Sequence, residues 1–436
     1  MVERFPMKDH RAALGRVLAA VVAWGATVVL SAQFTDSAFE LNHPAVQYHT
    51  RGTADVASAL NASLQSGQTK LAFENRTGYL RPLLDALHVP VDSQIAVFSK
   101  TSLQSGIIDP SNPRTIFFND SVAVAWMNSG FIELATHDPQ QGAVFYTLSQ
   151  AWTPVPQLRR EDGCLRCHYS ANTLGVPGFL ARSVPSATDG TTMPWLGNYE
   201  TDHRSPLDER WGGWYVTGHV GTSRHLGNAP VKDKRANDLT VIDANLNVPT
   251  LSSRFDTSAY LSPHSDVVAL LVFNHQMRMM NLLTRIGWEA RVLAHDGRSV
   301  DAAATALGDA AAEVVDYMLF VDETRLTGVR GSSGFAKTFS AQGPRDSKGR
   351  SLRDLDLETR LLRYPCSYLI YSAAFDQLPS AAKQAIYGRL WDVLSGRERR
   401  SKYARLTSAD RQAIIEILRD TKIDLAATKD TKVTKD

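Results

Sequence analysis

Residues 262–291, SPHSDVVALLVFNHQMRMMNLLTRIGWEAR, divide the chain into two parts of different character. Val267, Leu270, Leu271, Asn274, Met277, Leu282 and Ile286 recur at spacings near three and four, the repeat of one face of an α-helix. Ser262 and Pro263 supply a start signal. A long helix ending near Arg291 is expected, buried over much of its surface. Downstream, helical patterns cover 301–320, 380–394 and 408–419, the last with apolar Ile414, Ile415, Ile417 and Leu418 behind capping-type Thr407 and Ser408. Residues 328–349 are rich in Gly, Ser and charge and predict a long surface loop. Upstream the signals shorten. QIAVFS (94–99), TIFF (115–118) and VAVAW (122–126), separated by Pro, Asn, Asp and Gly, predict strands and turns, and YLRPLLDAL (79–87) predicts a brief helix around Pro82. The expected fold class is α+β, with a mixed, strand-containing N-terminal half and a mostly helical C-terminal half.

The 436 residues allow one large or two fused domains. Hydrophobic residues make up 43% and charged residues 21%, which excludes both a disordered chain and a bundle of membrane spans. Forty-seven Lys and Arg nearly balance forty-five Asp and Glu, so no general nucleic-acid-binding surface is expected. The uncharged run VLAAVVAWGATVVLSA (17–32) follows Lys8, Arg11 and Arg16. It falls short of the ~20 apolar residues that span a bilayer and matches the apolar length of an export signal. Residues 1–32 therefore predict a signal peptide or, if uncleaved, a tether to the cytoplasmic membrane. The body of the protein is then expected in the periplasm. The tail, 426–436, alternates Lys, Thr and Asp without apolar anchors and is expected to be disordered.

Three cysteines are too few for a disulfide-built scaffold, and two of them form Cys164-Leu165-Arg166-Cys167-His168. C-x-x-C-H is the attachment pattern of c-type haem. Residues three apart lie on one side of a helical turn, so both thiols can reach the vinyl-bearing edges of one porphyrin as thioethers. The next residue, His168, is placed to bind the iron as proximal ligand. A local disulfide or thioredoxin-like pair makes no use of His168, and no βαβ pattern surrounds it. Zinc needs a fourth ligand from elsewhere, and adjacent Cys167 and His168 do not easily point at one small ion. The cofactor expected is one covalently bound haem c. The regions follow as 33–157, mixed α/β; 158–261, haem-binding; and 262–425, helical.

Cys164–His168 resembles the haem site of the c-type cytochromes. The segments FENRTGYLRPLLDALHVP (73–90), HYSANTLGVPGF (168–179), DERWGGWYVTG (208–218) and YPCSYLIYS (364–372) resemble a family of exported bacterial cytochrome-c-domain proteins with a single CxxCH. That resemblance covers most of the chain after the leader and implies haem without implying a substrate. In the small soluble cytochromes c the motif stands near the start of a helical unit of about one hundred residues. Here 163 residues precede Cys164.

The residue on the other iron face decides between electron transfer, which suits Met or His, and chemistry at an open face. His225 and His203 are the leading distal candidates, followed by His275 and Met193. His219 and His264 are further candidates, as are Met277, Met279 and Met280 on the long helix. Trp195, Trp211, Trp214 and Tyr215 supply aromatic surface for a macrocycle. Cys366 is expected to be buried and inert, Asp202-His203 and Asp208-Glu209 to be surface pairs, and the basic run 397–402 to be a solvated face. The expected function is single-electron transfer between redox protein partners or with a membrane oxidoreductase complex. The alternatives are a haem enzyme of peroxidase-like or other oxidoreductase type with an open distal site, or a haem-bearing subunit of a larger complex.

Overall fold

Strands appear where β-branched and aromatic runs are cut by turn residues. In the computed structural model, which describes residues 39–239 and 241–422, β1 (Ile95–Val97), β2 (Arg114–Phe118), β3 (Val122–Trp126), β4 (Ile132–Asp138), β5 (Gly142–Leu148) and β6 (Arg159–Arg160) form an antiparallel meander. β7 (Arg182–Ser183) and β8 (Tyr199–Glu200) pair apart from it, and β9 (Trp214–Tyr215) joins the sheet beside β1. The described order is β6-β5-β4-β3-β2-β1-β9. At the β4–β5 turn, Asp138 Oδ1 accepts from the N–H groups of Gln140 and Gln141, each at 2.8 Å. Gly142 follows with φ +85°, and a Cβ there would meet Pro177 O at 2.7 Å. Only glycine satisfies both conditions at this position.

Alternation gives the sheet two different faces. On one, Phe117, Val122, Val124, Trp126, Leu134, Val144 and Tyr146 pack against α1 (Val56–Gln65) and α2 (Leu80–Ala86). Pro82 is the third residue of α2, in the first turn, where its missing N–H costs little. The other face is built from smaller side chains. It lies toward the turn α3 (Leu165–His168) and the long helix α4 (Val267–His295). Behind α4 pack α5 (Val300–Met318), α6 (Phe335–Ala341), α7 (Ser380–Leu394) and α8 (Ser408–Thr421).

The N-terminal half thus holds an antiparallel sheet and the C-terminal half is helical, an α+β arrangement. Strands β1 to β3, α2 and α7 fall where their sequences place them. Helix α4 starts five residues later than Ser262, because Asp266 is its N-cap and accepts from Val268 N–H at 2.7 Å. It also runs past Arg291 to His295. The surface loop expected at 328–349 contains β11 (Val329–Arg330), paired with β10 (His219–Val220), and helix α6. Phe335 and Phe339, one helical turn apart, are buried in the main core. The sheet takes β6 and β9 from beyond residue 157, and the described residues from 39 to 422 belong to one compact unit. The leader and the tail lie outside the described residues. Among those described, no helix is long and apolar enough to cross a membrane.

Candidate functional site

Cross-strand register lines up the small face of the sheet. Ile116 lies opposite Ala125, and Ala125 opposite Glu133; in the next row Ala123 lies opposite Ala135, and Ala135 opposite Phe145. Where the other face carries Val122, Val124 and Trp126, this face carries alanine, and a hollow results. It is a cavity of about 430 Å³, within the ~300–1,000 Å³ usual for ligand sites. Cys164, Cys167 and His168 stand on its wall together with Phe179, Trp214, Phe273 and Met277. Phe273, Met277 and Asn281 follow at four-residue intervals along α4, so one stripe of that helix serves the site.

The CxxCH turn is held from both ends. Before it, Glu161 accepts from Gly163 N–H at 2.8 Å, capping the turn that ends at Cys164. After it, Ser170 and Thr173 form a capping box, and Thr173 Oγ1 also donates to Val176 O at 2.8 Å. The chain then returns so that Gly178 O lies 2.9 Å from His168 Nδ1. A carbonyl only accepts, so Nδ1 carries the ring proton and Nε2 keeps the lone pair that a metal requires. Asn281 clamps the same return: its Oδ1 accepts from Phe179 N–H and its Nδ2 donates to Phe179 O, both at 2.7 Å. A Cβ on Gly178 would meet Asn281 Oδ1 at 2.5 Å, so the clamp and the turn fit only around glycine. Phe145 packs on the imidazole with ring centroids 4.8 Å apart.

Burial holds the His168 imidazole below its ordinary pKa, against the opposing pull of the Gly178 carbonyl, and the neutral ring is the ligating form. Burial, with the Glu133 and Glu161 carboxylates, pushes the Cys164 thiol up to about 12. A thioredoxin-like attacking cysteine needs the opposite shift. Cys164 and Cys167 are free thiols, and among the described residues no further His, Cys, Asp or Glu ligands converge with them. The lining sets Lys100, Arg114, Arg166 and Arg182 against the one carboxylate of Glu133, which bonds Arg114 at 3.0 Å. A flat apolar body with acidic edges suits this wall. The donor set, two thiols and a neutral imidazole beside an apolar slot with basic groups, fits a covalently held haem.

The leading distal candidates lie elsewhere. His203 is buried, not part of a surface pair, with Nδ1 2.8 Å from His275 Nδ1; it stacks on Tyr317 and Phe320. His275 Nε2 in turn meets Ser367 Oγ at 2.8 Å. His225 Nδ1 accepts from Gly227 N–H at 3.0 Å and Nε2 donates to Leu246 O at 3.2 Å, so both its nitrogens are engaged. None of these three lines the cavity, nor do Met193, His219, His264, Met279 or Met280. Of the candidates within the described residues only Met277 does. Trp214 contributes to the wall, Trp211 is buried with its indole N–H donating to Asn274, and Trp195 is 59% exposed. Cys366 is fully buried and its thiol is pushed up to about 12.

Sequence reasoning missed the alanine floor, the basic lining and Asn281. The signals were present: alanine at every second position of VAVAW, repeated at Ala135, and a polar Asn281 amid the apolar run of α4. No family model, curated protein or solved structure matches this chain.

Proposed function

We propose that this chain is an exported c-type haem protein that carries single electrons through one covalently attached haem. The carrying observation is that Cys164, Cys167 and a neutral, oriented His168 share one wall of an apolar cavity with basic edges. In this reading Cys164 and Cys167 would tether the porphyrin, His168 Nε2 would hold the iron, and residues 158–261 would be the haem-binding region. Bound haem supplies a one-electron couple between ferric and ferrous iron. Met277 is the thioether in the lining that would be available as a further ligand to the iron. Phe145, Phe179, Phe273 and Trp214 would exclude water from the ring, and Lys100, Arg166 and Arg182 in the same lining would supply positive charge for its carboxylates. The periplasm and redox protein partners or a membrane oxidoreductase complex complete the proposal, on the strength of the basic, apolar leader.

The half-buried Arg114–Glu133 pair on the cavity wall favours one second reading, a haem enzyme of peroxidase-like type, since charged groups beside an open iron face can stabilise charge that develops on a bound small molecule. An optical spectrum of protein expressed with a cytochrome-maturation system separates the two. Low-spin iron in both oxidation states, insensitive to carbon monoxide, supports electron transfer. High-spin iron that binds carbon monoxide supports the enzyme, and no haem absorption overturns both.

A further inference from the structure

His43, His295 and Asp296 converge where the first described segment of the chain meets the C-terminal end of α4. His43 Nε2 lies 3.4 Å from Asp296 Oδ1, and His295 Nδ1 lies 3.2 Å from the same oxygen. The two imidazole rings approach edge to face with centroids 5.3 Å apart, and the three ligand atoms all lie within 4.8 Å of one another. With metal–ligand bonds of about 2.0–2.2 Å, neighbouring donors of a tetrahedral zinc site lie about 3.3–3.6 Å apart. The two observed spacings are close to those edges.

We propose that His43, His295 and Asp296 form a binding site for a divalent transition-metal ion of the Zn²⁺ class, separate from the CxxCH cavity. Two imidazoles, which are borderline donors, joined by one carboxylate suit Zn²⁺ and not Ca²⁺ or Mg²⁺, which take oxygen cages. Three protein ligands leave the fourth position to water, consistent with the exposure of the His295 and Asp296 side chains, 48% and 35%. The helix end adds to the attraction, because the unpaired carbonyls of the last turn of α4 carry partial negative charge. Binding has a local cost. His43 Nδ1 accepts from Ala45 N–H at 3.2 Å, and ligation through Nε2 moves the ring proton to Nδ1 and gives up that bond. The ion would staple the segment around His43 to the long helix that also carries Phe273, Met277 and Asn281.

The test is titration of untagged, haem-loaded full-length protein with zinc chloride, followed by calorimetry and thermal melting, with Mg²⁺ and Ca²⁺ as hard-ion controls. One Zn²⁺ per chain is expected, with a raised melting midpoint and no response to the controls. His43→Ala or His295→Ala should each weaken binding roughly tenfold or more, and the double variant should abolish it. The His295 side chain is exposed and the His43 side chain half-buried, so the metal-free His295→Ala variant should melt as the parent does and isolates the loss of zinc binding from any loss of stability. Absence of stoichiometric zinc binding, or zinc binding that the double variant leaves unchanged, overturns the proposal. In the first case the cluster is two imidazoles hydrogen-bonded to a carboxylate; in the second the ion sits elsewhere.

Discussion

At the scale of single residues, the imidazole of His168 is the pivot. Its Nδ1–H is committed to Gly178 O, so the protein fixes both the tautomer and the ring plane before any metal arrives. Met277 is the thioether within the same cavity. Met277→Leu conserves volume and removes the sulfur, and should cost less than about 1.5 kcal/mol of stability. With Met277 as iron ligand, the variant should keep its covalent haem while the iron becomes high-spin and carbon-monoxide-reactive, read by optical spectroscopy. An unchanged spectrum would remove Met277 from the axial role. The placement of Cys164, Cys167 and His168 on one wall was legible from five letters because a single helical turn sets it. The distal side was not. His203 and His225 stand near the motif in sequence, but His203 Nδ1 is turned to His275 and both nitrogens of His225 are bonded inside the core, and spacing carries no information about such long-range placement.

At the scale of elements, the site is the gap between a sheet face and a helix. The β2 to β5 register stacks Ala123, Ala125 and Ala135 into one floor, and α4 roofs it with Phe273 and Met277. Filling the floor should therefore block the cofactor without unmaking the sheet. Ala123→Leu combined with Ala135→Leu is expected to cut the haem-to-protein ratio severely while far-ultraviolet circular dichroism stays that of the parent. Full haem loading in that variant would mean the cavity is not the haem pocket. The helix also holds the return loop. Asn281→Ala leaves the Phe179 N–H and C=O without their partners, and should destabilise the fold by about 2–4 kcal/mol, measured by urea unfolding. Among the elements, α7 was readable to the residue because its ends carry Pro379 before it and Ser395 and Gly396 after it. The start of α4 was misplaced because Asp266, not Ser262, reaches the first free N–H groups. Helix α6 was hidden because glycine, serine and charge on both sides outweighed two phenylalanines four apart. Strands β4 and β5 drew no individual expectation, although IELATHD alternates buried and half-buried side chains along its length.

For the whole molecule, buried neutral histidines set the response to acid. Burial lowers His137 and His225 to about 4 and His275 to about 3, against about 6.5 in an unfolded chain. Between those values the unfolded chain binds protons that the folded one refuses, so stability rises with pH across this window and is lost as pH falls from about 6.5 toward 4. The loss should reach several kcal/mol in sum, seen as a falling denaturation midpoint. His137→Gln keeps a polar partner for Thr284 and should flatten the slope; a parent whose midpoint is constant from pH 6.5 to 4 would contradict this accounting. Composition and charge limited the class of molecule from the sequence alone. How one sheet came to bridge regions 33–157 and 158–261 did not, because the pairings of β9 with β1 and of β6 with β5 are made by two-residue strands too short to leave a periodic signal.

Covalent attachment of haem is read from the intact mass of protein made with a cytochrome-maturation system, after denaturation and extraction of loosely held haem. One haem is expected to remain on each chain and to be absent from the Cys164→Ser/Cys167→Ser double variant. A parent chain whose mass is that of the polypeptide alone, with both thiols free to alkylate, would rule out a c-type haem protein.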